Sequence, residues 1–290
     1  MRHGTSELRL ATRSSLLALA QSRRVVALLE RAHPCLTVRL VEVDSSGDQD
    51  QSSPVAALSE MGAFVRTVQQ RVMDGDADLA VHSLKDLPTF GPQALTIAAY
   101  PERESPFDVL VGADLAALRE GALIGTGSPR RVAQLRRLRP DLRTTELRGN
   151  VDTRLRKVRR GMVDAAVLAE AGLRRLGHDD AIARVLAVDE MVPAPGQGAL
   201  AVETLRDGLA FDLVQAIDDS TVRRIVAAER ELLVLTRAGC RSALGALATS
   251  RGDVVELHAF VEDERGARRV TVTGSGPVEA AENACKELGL

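Results

Sequence analysis

Two short segments of the chain combine arginines with small, turn-forming residues. They are residues 125–131 (GTGSPRR) and 148–154 (RGNVDTR), and each follows an apolar run and precedes a helix-like run. A turn from a strand into a helix directs backbone N–H groups and the positive end of the helix dipole toward one spot. Arginines there add forked donors that match carboxylate or phosphate groups. The two segments therefore predict a site for a small molecule with several negative charges.

The composition is that of an ordinary globular protein. The 290 residues, 45% hydrophobic and 27% charged, suffice for about two domains or three small ones. Three cysteines without metal-site spacing and five scattered histidines predict no metal site. No apolar run approaches the roughly 20 residues of a membrane span, and the first residues lack the apolar core of a signal peptide. We therefore expect a cytoplasmic protein without a membrane partner.

The net charge of −2 conceals one basic segment. Residues 130–160 contain twelve Arg or Lys and three Asp or Glu, a local balance of +9. A nucleic-acid interface is one interpretation, and it predicts an affinity that falls steeply with salt. We expect no nucleic-acid partner, because the arginines cluster at turns and aromatic residues, at 2%, are too few for a stacking platform. A solvated helix face is expected for the arginines away from the turns: Arg136, Arg137, Arg139, Arg159 and Arg160.

Strand-like and helix-like runs alternate through the first two thirds of the chain. Strands are predicted near 8–12, 37–43, 78–82, 107–111, 122–125, 143–147 and 164–168. Helices are predicted after Ser14 or Ser15, over 55–73, and near 129–138, 150–160 and 170–176. This alternation predicts parallel, doubly wound sheets, which bind ligands at the carboxyl ends of their strands.

The pattern changes from about residue 190. Residues 191–198 (MVPAPGQG) form a connector rich in Pro and Gly, and a long helix is predicted over 220–236. Two or three antiparallel strands near 246–249, 254–262 and 267–274 precede a last helix over 278–288. The end of the chain is therefore expected to be a small α+β unit.

Seven motifs, taken together and in order, resemble those of the porphobilinogen deaminase (hydroxymethylbilane synthase) family. They are 9–13 (RLATR), 80–89 (AVHSLKDLPT), 125–131 (GTGSPRR), 147–155 (LRGNVDTRL), 169–177 (AEAGLRRLG), 195–200 (PGQGAL) and 238–240 (AGC). The resemblance implies an α/β fold with two doubly wound lobes like those of periplasmic binding proteins, crossed twice by the chain, and a small α+β C-terminal domain. The implied bounds are 1–98 with 197–217 for domain 1, 99–196 for domain 2 and 218–290 for domain 3.

The resemblance also implies a transferase of porphyrin, tetrapyrrole and heme biosynthesis that acts as a monomer. Members of the family join four porphobilinogen molecules head to tail on a covalent dipyrromethane cofactor and release ammonia at each step. They then free the linear tetrapyrrole by hydrolysis. Porphobilinogen bears two carboxylates, so the growing chain carries the many negative charges that the arginine turns predict.

Positions that match the family motifs take the family's roles. The resemblance assigns cofactor binding to Arg13, Ser15, Lys85, Ser128, Arg130, Arg131 and Cys240. It assigns substrate binding to Arg13, Arg148, Arg154 and Arg175.

Asp86 is the catalytic residue that the resemblance implies. Loss of ammonia leaves a cation, and attack by the next pyrrole produces a second one. A carboxylate near the pyrrole N–H groups stabilises both and moves protons. On residue type alone, the favoured interpretation is instead an aspartate that caps the turn before Leu87 and Pro88.

Cys240 is implied to anchor the dipyrromethane through a thioether. Arg237 and Arg241 beside it would lower the pKa of its thiol and so favour the reactive thiolate. The alternative is a small buried hydrophobic residue, which is the interpretation taken for Cys35 and Cys285.

Two departures from the family keep an alternative function open. Ala57 and Met61 stand where many relatives carry lysines near the cofactor. With that charge lost, the alternative is a catalytically impaired homologue that acts as a cytoplasmic anion-binding module.

Overall fold

The computed structural model of the protein describes residues 6–43, 56–237 and 242–290. The strands are β1 (Ser6–Arg13), β2 (Leu36–Val43), β3 (Leu79–Ser83), β4 (Leu95–Ala99), β5 (Asp108–Val111), β6 (Leu123–Gly125), β7 (Arg143–Thr145), β8 (Ala165–Ala169), β9 (Ile182–Leu186), β10 (Leu200–Leu205), β11 (Ala243–Arg251), β12 (Val254–Asp263) and β13 (Gly266–Gly274). The α-helices are α1 (Leu16–Ala32), α2 (Ala56–Met73), α3 (Pro129–Leu138), α4 (Val151–Arg159), α5 (Glu170–Arg175), α6 (Ala210–Gln215), α7 (Ser220–Thr236) and α8 (Pro277–Leu288). Over these described ranges, no helix is long and apolar enough to cross a membrane.

The chain divides into two compact units. The first unit is Met1–Arg103 with Ala199–Arg223, and the second is Glu104–Gly198 with Arg224–Leu290. The predicted division into three domains, with its bounds, stays a prediction.

The first unit is built on a five-stranded sheet in the order β2-β1-β3-β10-β4. Alternate side chains of a strand face opposite sides of the sheet, so each side needs a cover of its own. On one side, Leu10 packs in a core with Val25 of α1 and Val214 of α6. On the other side, Ala11 packs with Val68 of α2. The sheet is therefore covered by helices on both faces, as predicted.

The second unit contains a five-stranded sheet with the same arrangement, in the order β7-β6-β8-β5-β9. Leu135 of α3 packs in a core with Ile124 on one face. On the other face, Leu155 of α4 and Leu173 of α5 pack in a core with Val109. This sheet is also doubly wound.

The prediction of wholly parallel sheets is wrong for one strand in each unit. β10 is antiparallel to β3 and β4, and β5 is antiparallel to β8 and β9. Each is the first strand after the chain passes from one unit to the other. Leu200 pairs with Ser83 and Asp108 pairs with Ala169, so the chain enters each sheet beside the carboxyl end of a neighbouring strand. A strand that enters at that end runs against its neighbours.

The second unit also contains the predicted α+β element. Strands β11, β12 and β13 form an antiparallel sheet in sequence order. Leu232 of α7 and Ala284 of α8 pack in one core with Leu257 of β12. The three strands are longer than predicted at several ends, because the two hairpins pair almost to their turns.

Candidate functional site

Lys85 and Asp86 lie in a short 3₁₀ turn, Leu84–Asp86, that directly follows β3. The turn is held by its backbone: the N–H of Leu84 donates to the Ala199 carbonyl at 3.0 Å, and the N–H of Leu87 donates to the Leu84 carbonyl at 3.1 Å. Leu84 and Leu87 are buried on either side of the pair. The turn therefore holds Lys85 and Asp86, both half-buried, at the carboxyl end of a central strand.

The capping role that residue type alone favours for Asp86 is not seen in the structure. The turn closes through backbone groups, and the described residues donate no hydrogen bond to the Asp86 carboxylate. A half-buried carboxylate in that position keeps its oxygens for another partner.

Arg13 and Ser15 follow the carboxyl end of the neighbouring strand. Arg13 is the last residue of β1, and Ser15 is the N-cap of α1, its hydroxyl oxygen accepting from the N–H of Ala18 at 3.3 Å. The hydroxyl of a capping serine still has a hydrogen to donate. Because β1 and β3 are adjacent and parallel, Arg13, Ser15, Lys85 and Asp86 all follow the same edge of the first unit's sheet.

Three polar contacts, each with at least one buried partner, support this part of the sheet. Gln21 of α1 donates from Nε2 to the hydroxyl of Ser83 at 2.7 Å, directly before the turn. Nε2 of His82 lies 3.0 Å from Glu203 Oε2, and Gln69 donates to the same oxygen at 2.9 Å. In the sequence, such contacts are indicated only by a polar residue at a position that the apolar pattern predicts to be buried. The sequence does not identify the partner of that residue.

The segment 125–131 forms the predicted turn between β6 and α3 in the second unit. Ser128 is the N-cap of α3, and its side chain makes no capping bond. Gly125 is needed for close packing, because a Cβ there would lie 2.7 Å from Cδ2 of Leu147. The turn thus brings the segment that contains Arg148 against the one that contains Ser128.

Arg130 and Arg131 are buried against the carboxylate of Asp108, a residue that lies in none of the seven motifs. Asp108, fully buried at the start of β5, accepts from Nη1 of Arg130 at 2.7 Å, and from Nε and Nη2 of Arg131 at 3.0 and 2.7 Å. Arg130 also donates to the Val192 carbonyl at 2.6 Å, and Arg131 to the Val167 carbonyl at 2.9 Å. An acid at the head of the otherwise apolar run 108–111 (DVLV) was the signal in the sequence.

The electrostatics of these three residues follow from their burial. Burial by itself raises the pKa of Asp108, but Arg130 and Arg131 outweigh it and hold that pKa well below its usual range. Burial lowers the pKa of Arg130, and the attraction of Asp108 opposes that change. The carboxylate is therefore ionised at neutral pH and fixes both guanidinium groups.

The second arginine turn, 148–154, follows β7. Asn150 caps α4 by accepting from the N–H of Thr153 at 2.9 Å, and Arg154 donates from Nε to the Gly149 carbonyl at 2.7 Å. Arg148 is exposed and forms a two-bond ion pair with Glu146, at 2.8 and 3.1 Å. Arg154 is thus held at the turn, whereas Arg148 lies in solvent.

Arg175 is the last residue of α5, the helix that follows β8. Its Nη2 donates to the carbonyl of Gly198 in the connector at 2.6 Å. Since β6, β7 and β8 are parallel, the elements that bear Ser128, Arg130, Arg131, Arg148, Arg154 and Arg175 all follow one edge of the second unit's sheet.

The expectation of a solvated face is wrong for one of the five arginines away from the turns. Arg139 is half-buried and donates to both oxygens of Asp141, at 2.8 and 2.6 Å, and to the carbonyls of Leu115 and Leu118. These bonds connect the end of α3 to Leu115, Leu118 and Asp141 of the second unit. The other four are exposed: Arg136, Arg137, Arg159 and Arg160.

The cysteines differ from one another. Cys240 and Arg241 lie outside the described residues. Helix α7 ends at Thr236, and Arg237, the last residue described before the gap, has a φ of +49°. Cys35 is exposed, so the expectation that it is buried is wrong. Cys285 is half-buried, and burial raises the pKa of its thiol. The described part of the chain contains no group of three or more His, Cys, Asp or Glu placed to hold a metal ion.

Comparison with known proteins gives the family. Residues 8–211 match the family model described as "Porphobilinogen deaminase, dipyromethane cofactor binding domain". The porphobilinogen deaminase of Roseiflexus sp. (strain RS-1) is 45% identical over 256 residues, covering 87% of this chain and 84% of that protein. The porphobilinogen deaminase of Syntrophus aciditrophicus (strain SB) is 40% identical over 292 residues, covering 97% and 93%. The chain belongs to the porphobilinogen deaminase family, a family of transferases.

Proposed function

We propose that Asp86 is the catalytic carboxylate of this chain and that the arginines at the two sheet edges bind the carboxylates of porphobilinogen and of the cofactor. As a hydroxymethylbilane synthase, the enzyme joins four porphobilinogen molecules head to tail and releases the linear tetrapyrrole. This reaction belongs to porphyrin, tetrapyrrole and heme biosynthesis.

The observation that carries the proposal is the position of Asp86. Its carboxylate is half-buried at the end of β3 and accepts no hydrogen bond from the described residues. A carboxylate in that position accepts hydrogen bonds from a pyrrole N–H and stabilises the positive charge that develops as ammonia leaves porphobilinogen. It also takes up and returns a proton at the pyrrole. Lys85 next to it binds a carboxylate of the same ligand.

The chain's residues fit a covalent dipyrromethane, whose side chains are carboxylates. Arg130 and Arg131 carry two positive charges against the single buried charge of Asp108, so their cluster attracts an anion. Ser128 caps α3 without using its side chain, and Ser15 keeps a hydroxyl hydrogen. When bound, the dipyrromethane is the primer to which the porphobilinogen units are joined. Cys240 would hold it through a thioether.

Substrate binding is proposed for Arg13, Arg148, Arg154 and Arg175. Arg154 donates to the Gly149 carbonyl at 2.7 Å and Arg175 to the Gly198 carbonyl at 2.6 Å. Such a bond fixes the orientation of a guanidinium group, and a group held in one orientation is suited to two-bond recognition of a carboxylate. Arg148 is exposed and forms an ion pair with Glu146. Because an exposed ion pair contributes little free energy, a substrate carboxylate can replace Glu146 at low cost in free energy.

We also propose the oligomeric state, the location and the domain bounds that the family resemblance implies. The chain acts as a monomer in the cytoplasm, without nucleic acid, and folds as three domains: 1–98 with 197–217, 99–196, and 218–290. The arginines at the turns support the exclusion of nucleic acid, because they follow sheet edges instead of lining one helix. The matched relatives give no support to a catalytically impaired homologue.

The intact mass of the purified, denatured protein tests the proposal. We expect an excess equal to one dipyrromethane, located by peptide mapping on the peptide that contains Cys240, and no excess in Cys240→Ser. Ammonia release from porphobilinogen is measured on the same sample. An unmodified chain, even after incubation with porphobilinogen or preformed tetrapyrrole, contradicts the proposal.

A further inference from the structure

Asp108 accepts four hydrogen bonds at the edge of the second unit's sheet. Its side chain has no exposed surface, and its strand, β5, is buried throughout. Oδ2 accepts from Arg130, whereas Oδ1 accepts from Arg131 and, at 3.0 Å, from Nε2 of Gln197. A carboxylate offers about four acceptor sites, and Asp108 accepts four bonds, three at Oδ1 and one at Oδ2. A group so engaged is held in one orientation.

The guanidinium groups are not used up by these contacts. The described bonds take two of the five N–H groups of Arg130 and three of the five of Arg131. Among the described residues, Asp108 is the only carboxylate paired with either arginine. The cluster therefore keeps one net positive charge and several donors, in a region where Arg130 is only 4% exposed and Arg131 only 8%.

The same carboxylate is joined to the connector between the units. Gln197 bonds both Asp108 and the Pro106 carbonyl, the latter at 2.8 Å. The connector carbonyl of Val192 accepts from Arg130 at 2.6 Å and from Gln134 at 3.0 Å. One network of hydrogen bonds within the second unit thus joins the arginine turn, the start of β5 and the connector. Asp108, at the start of β5, bonds to both the arginine turn and the connector.

We infer that Asp108 is a positioning residue, which sets Arg130 and Arg131 for a carboxylate of the dipyrromethane and links them to the connector through Gln197. The inference rests on the proposed function, in which the two arginines bind that group. Without Asp108, two like charges would lie side by side in a buried region and would separate. Separated guanidinium groups no longer present paired donors to one carboxylate, and each charged hydrogen bond lost weakens binding by about 10-fold or more.

The variant Asp108→Asn tests the inference, with Asp141→Asn as the matched control. Asp141 also accepts two bonds from one arginine of the same unit, Arg139, but that arginine is not proposed to bind a ligand. For Asp108→Asn we expect a lower fraction of chains that carry the cofactor mass. We also expect a KM for porphobilinogen raised about 10-fold or more, with kcat changed less, in the loaded fraction. For Asp141→Asn we expect wild-type loading and KM, whatever its thermal stability.

Folded Asp108→Asn with wild-type loading and KM would overturn the inference and leave Asp108 a purely structural residue. If Asp108→Asn does not fold, Asp108→Glu keeps the charge and is expected to show smaller changes of the same sign; unchanged loading and KM there overturn the inference as well. Wild-type turnover is the separate test of the proposed function. A wild-type protein that neither loads cofactor nor releases ammonia contradicts the proposed function. The inference is tested separately, by the loaded fraction and the KM of the variant relative to those of the wild type.

Discussion

Asp86 combines the position and the exposure that a reacting carboxylate needs. The residue follows a buried strand, so its backbone cannot shift easily, yet its side chain is only half-buried. A rigid backbone next to an accessible carboxylate keeps the negative charge in place while the pyrrole of the substrate changes from neutral to cationic. Such preorganisation is what makes electrostatic stabilisation effective.

The substitution Asp86→Asn, which replaces one carboxylate oxygen by an amide group, tests this catalytic role. The substitution keeps the shape of the side chain and removes its negative charge. We expect ammonia release to fall by at least about 100-fold, the lower range for loss of an acid–base group, while the covalent cofactor is retained. Steady-state kinetics and intact mass measure the two. Near-wild-type turnover in a fully loaded variant would remove Asp86 from the mechanism.

Arg154 and Arg156 offer a matched pair on one helix. Arg154 is half-buried and bonded to the Gly149 carbonyl, whereas Arg156 is exposed and bonded to the hydroxyl of Thr153. For Arg154→Gln we expect the KM for porphobilinogen to rise about 10- to 100-fold, because a charged hydrogen bond contributes about 1.5–3 kcal/mol. For Arg156→Gln we expect no change. Equal effects in both variants would mean that only the general positive charge of the helix matters.

At the scale of elements, the position of Arg154 depends on the turn that precedes its helix. This turn contains Gly149. Gly149 has φ +110°, and a Cβ there would lie 2.7 Å from Cγ2 of Thr153. Only glycine fits a conformation of that kind without strain. The carbonyl that holds Arg154 belongs to this same residue, so the geometry of the turn also sets the position of the arginine.

Gly149→Ala is therefore expected to affect both stability and binding. A side chain in strained backbone costs about 1–3 kcal/mol, and the contact with Thr153 adds to that cost. Gly161→Ala is the control, because Gly161 also has positive φ, at +67°, but nothing lies within 4 Å of its Cβ position. We expect a larger fall in Tm for Gly149→Ala, partly restored by Thr153→Ala in the double variant. Equal falls in the two single variants would contradict the packing argument.

The connector shows a second constraint at this scale. Gly198 has φ +85°, and a Cβ there would lie 2.3 Å from the Glu104 carbonyl oxygen. The Gly198 carbonyl accepts from Arg175 and from the N–H of Glu104. Glu104 and Gly198, which begin and end the first stretch of the second unit, thus lie against each other. Arg175, for which we propose substrate binding, is bonded to Gly198.

At the scale of the whole molecule, the buried Asp108 makes stability depend on pH. Its pKa in the folded protein lies below that of the unfolded chain, near 3.9. A depressed carboxyl pKa contributes stability that is complete above the unfolded pKa and is lost as pH falls toward the folded value. The contribution is therefore present at neutral pH and declines below about pH 4.

The difference in stability between the wild type and Asp108→Asn follows from this dependence. At pH 7 we expect the variant to be less stable by about 3–5 kcal/mol, as when one partner of a buried ion pair is removed. Between about pH 4 and pH 2.5 the difference in Tm should narrow, since the wild-type carboxyl begins to take up a proton. Thermal unfolding of both proteins at each pH measures it. A constant difference over the whole range would contradict a lowered pKa of Asp108 in the folded protein.

Much of the secondary structure follows from local patterns. The helix after Ser128, the cap at Ser15 and the three strands near the end of the chain lie where the sequence places them, because apolar period and capping residues are local signals. Strands β4, β9 and β10 were not predicted. The direction of β5 and β10 was also missed, since strand direction depends on the end at which the chain enters the sheet.

The sequence by itself determined the family, the α/β alternation and the placement of Asp86 and the arginines after strands, since each depends on neighbouring residues or on motif order. Only the tertiary structure decided that Arg130 and Arg131 are buried on Asp108. It also decided that Arg139 braces loops and that Arg175 bonds the connector. These contacts join residues that are about 20 or more positions apart. Nothing local encodes such a pairing, because the partners meet only when strands from distant parts of the chain enter one sheet.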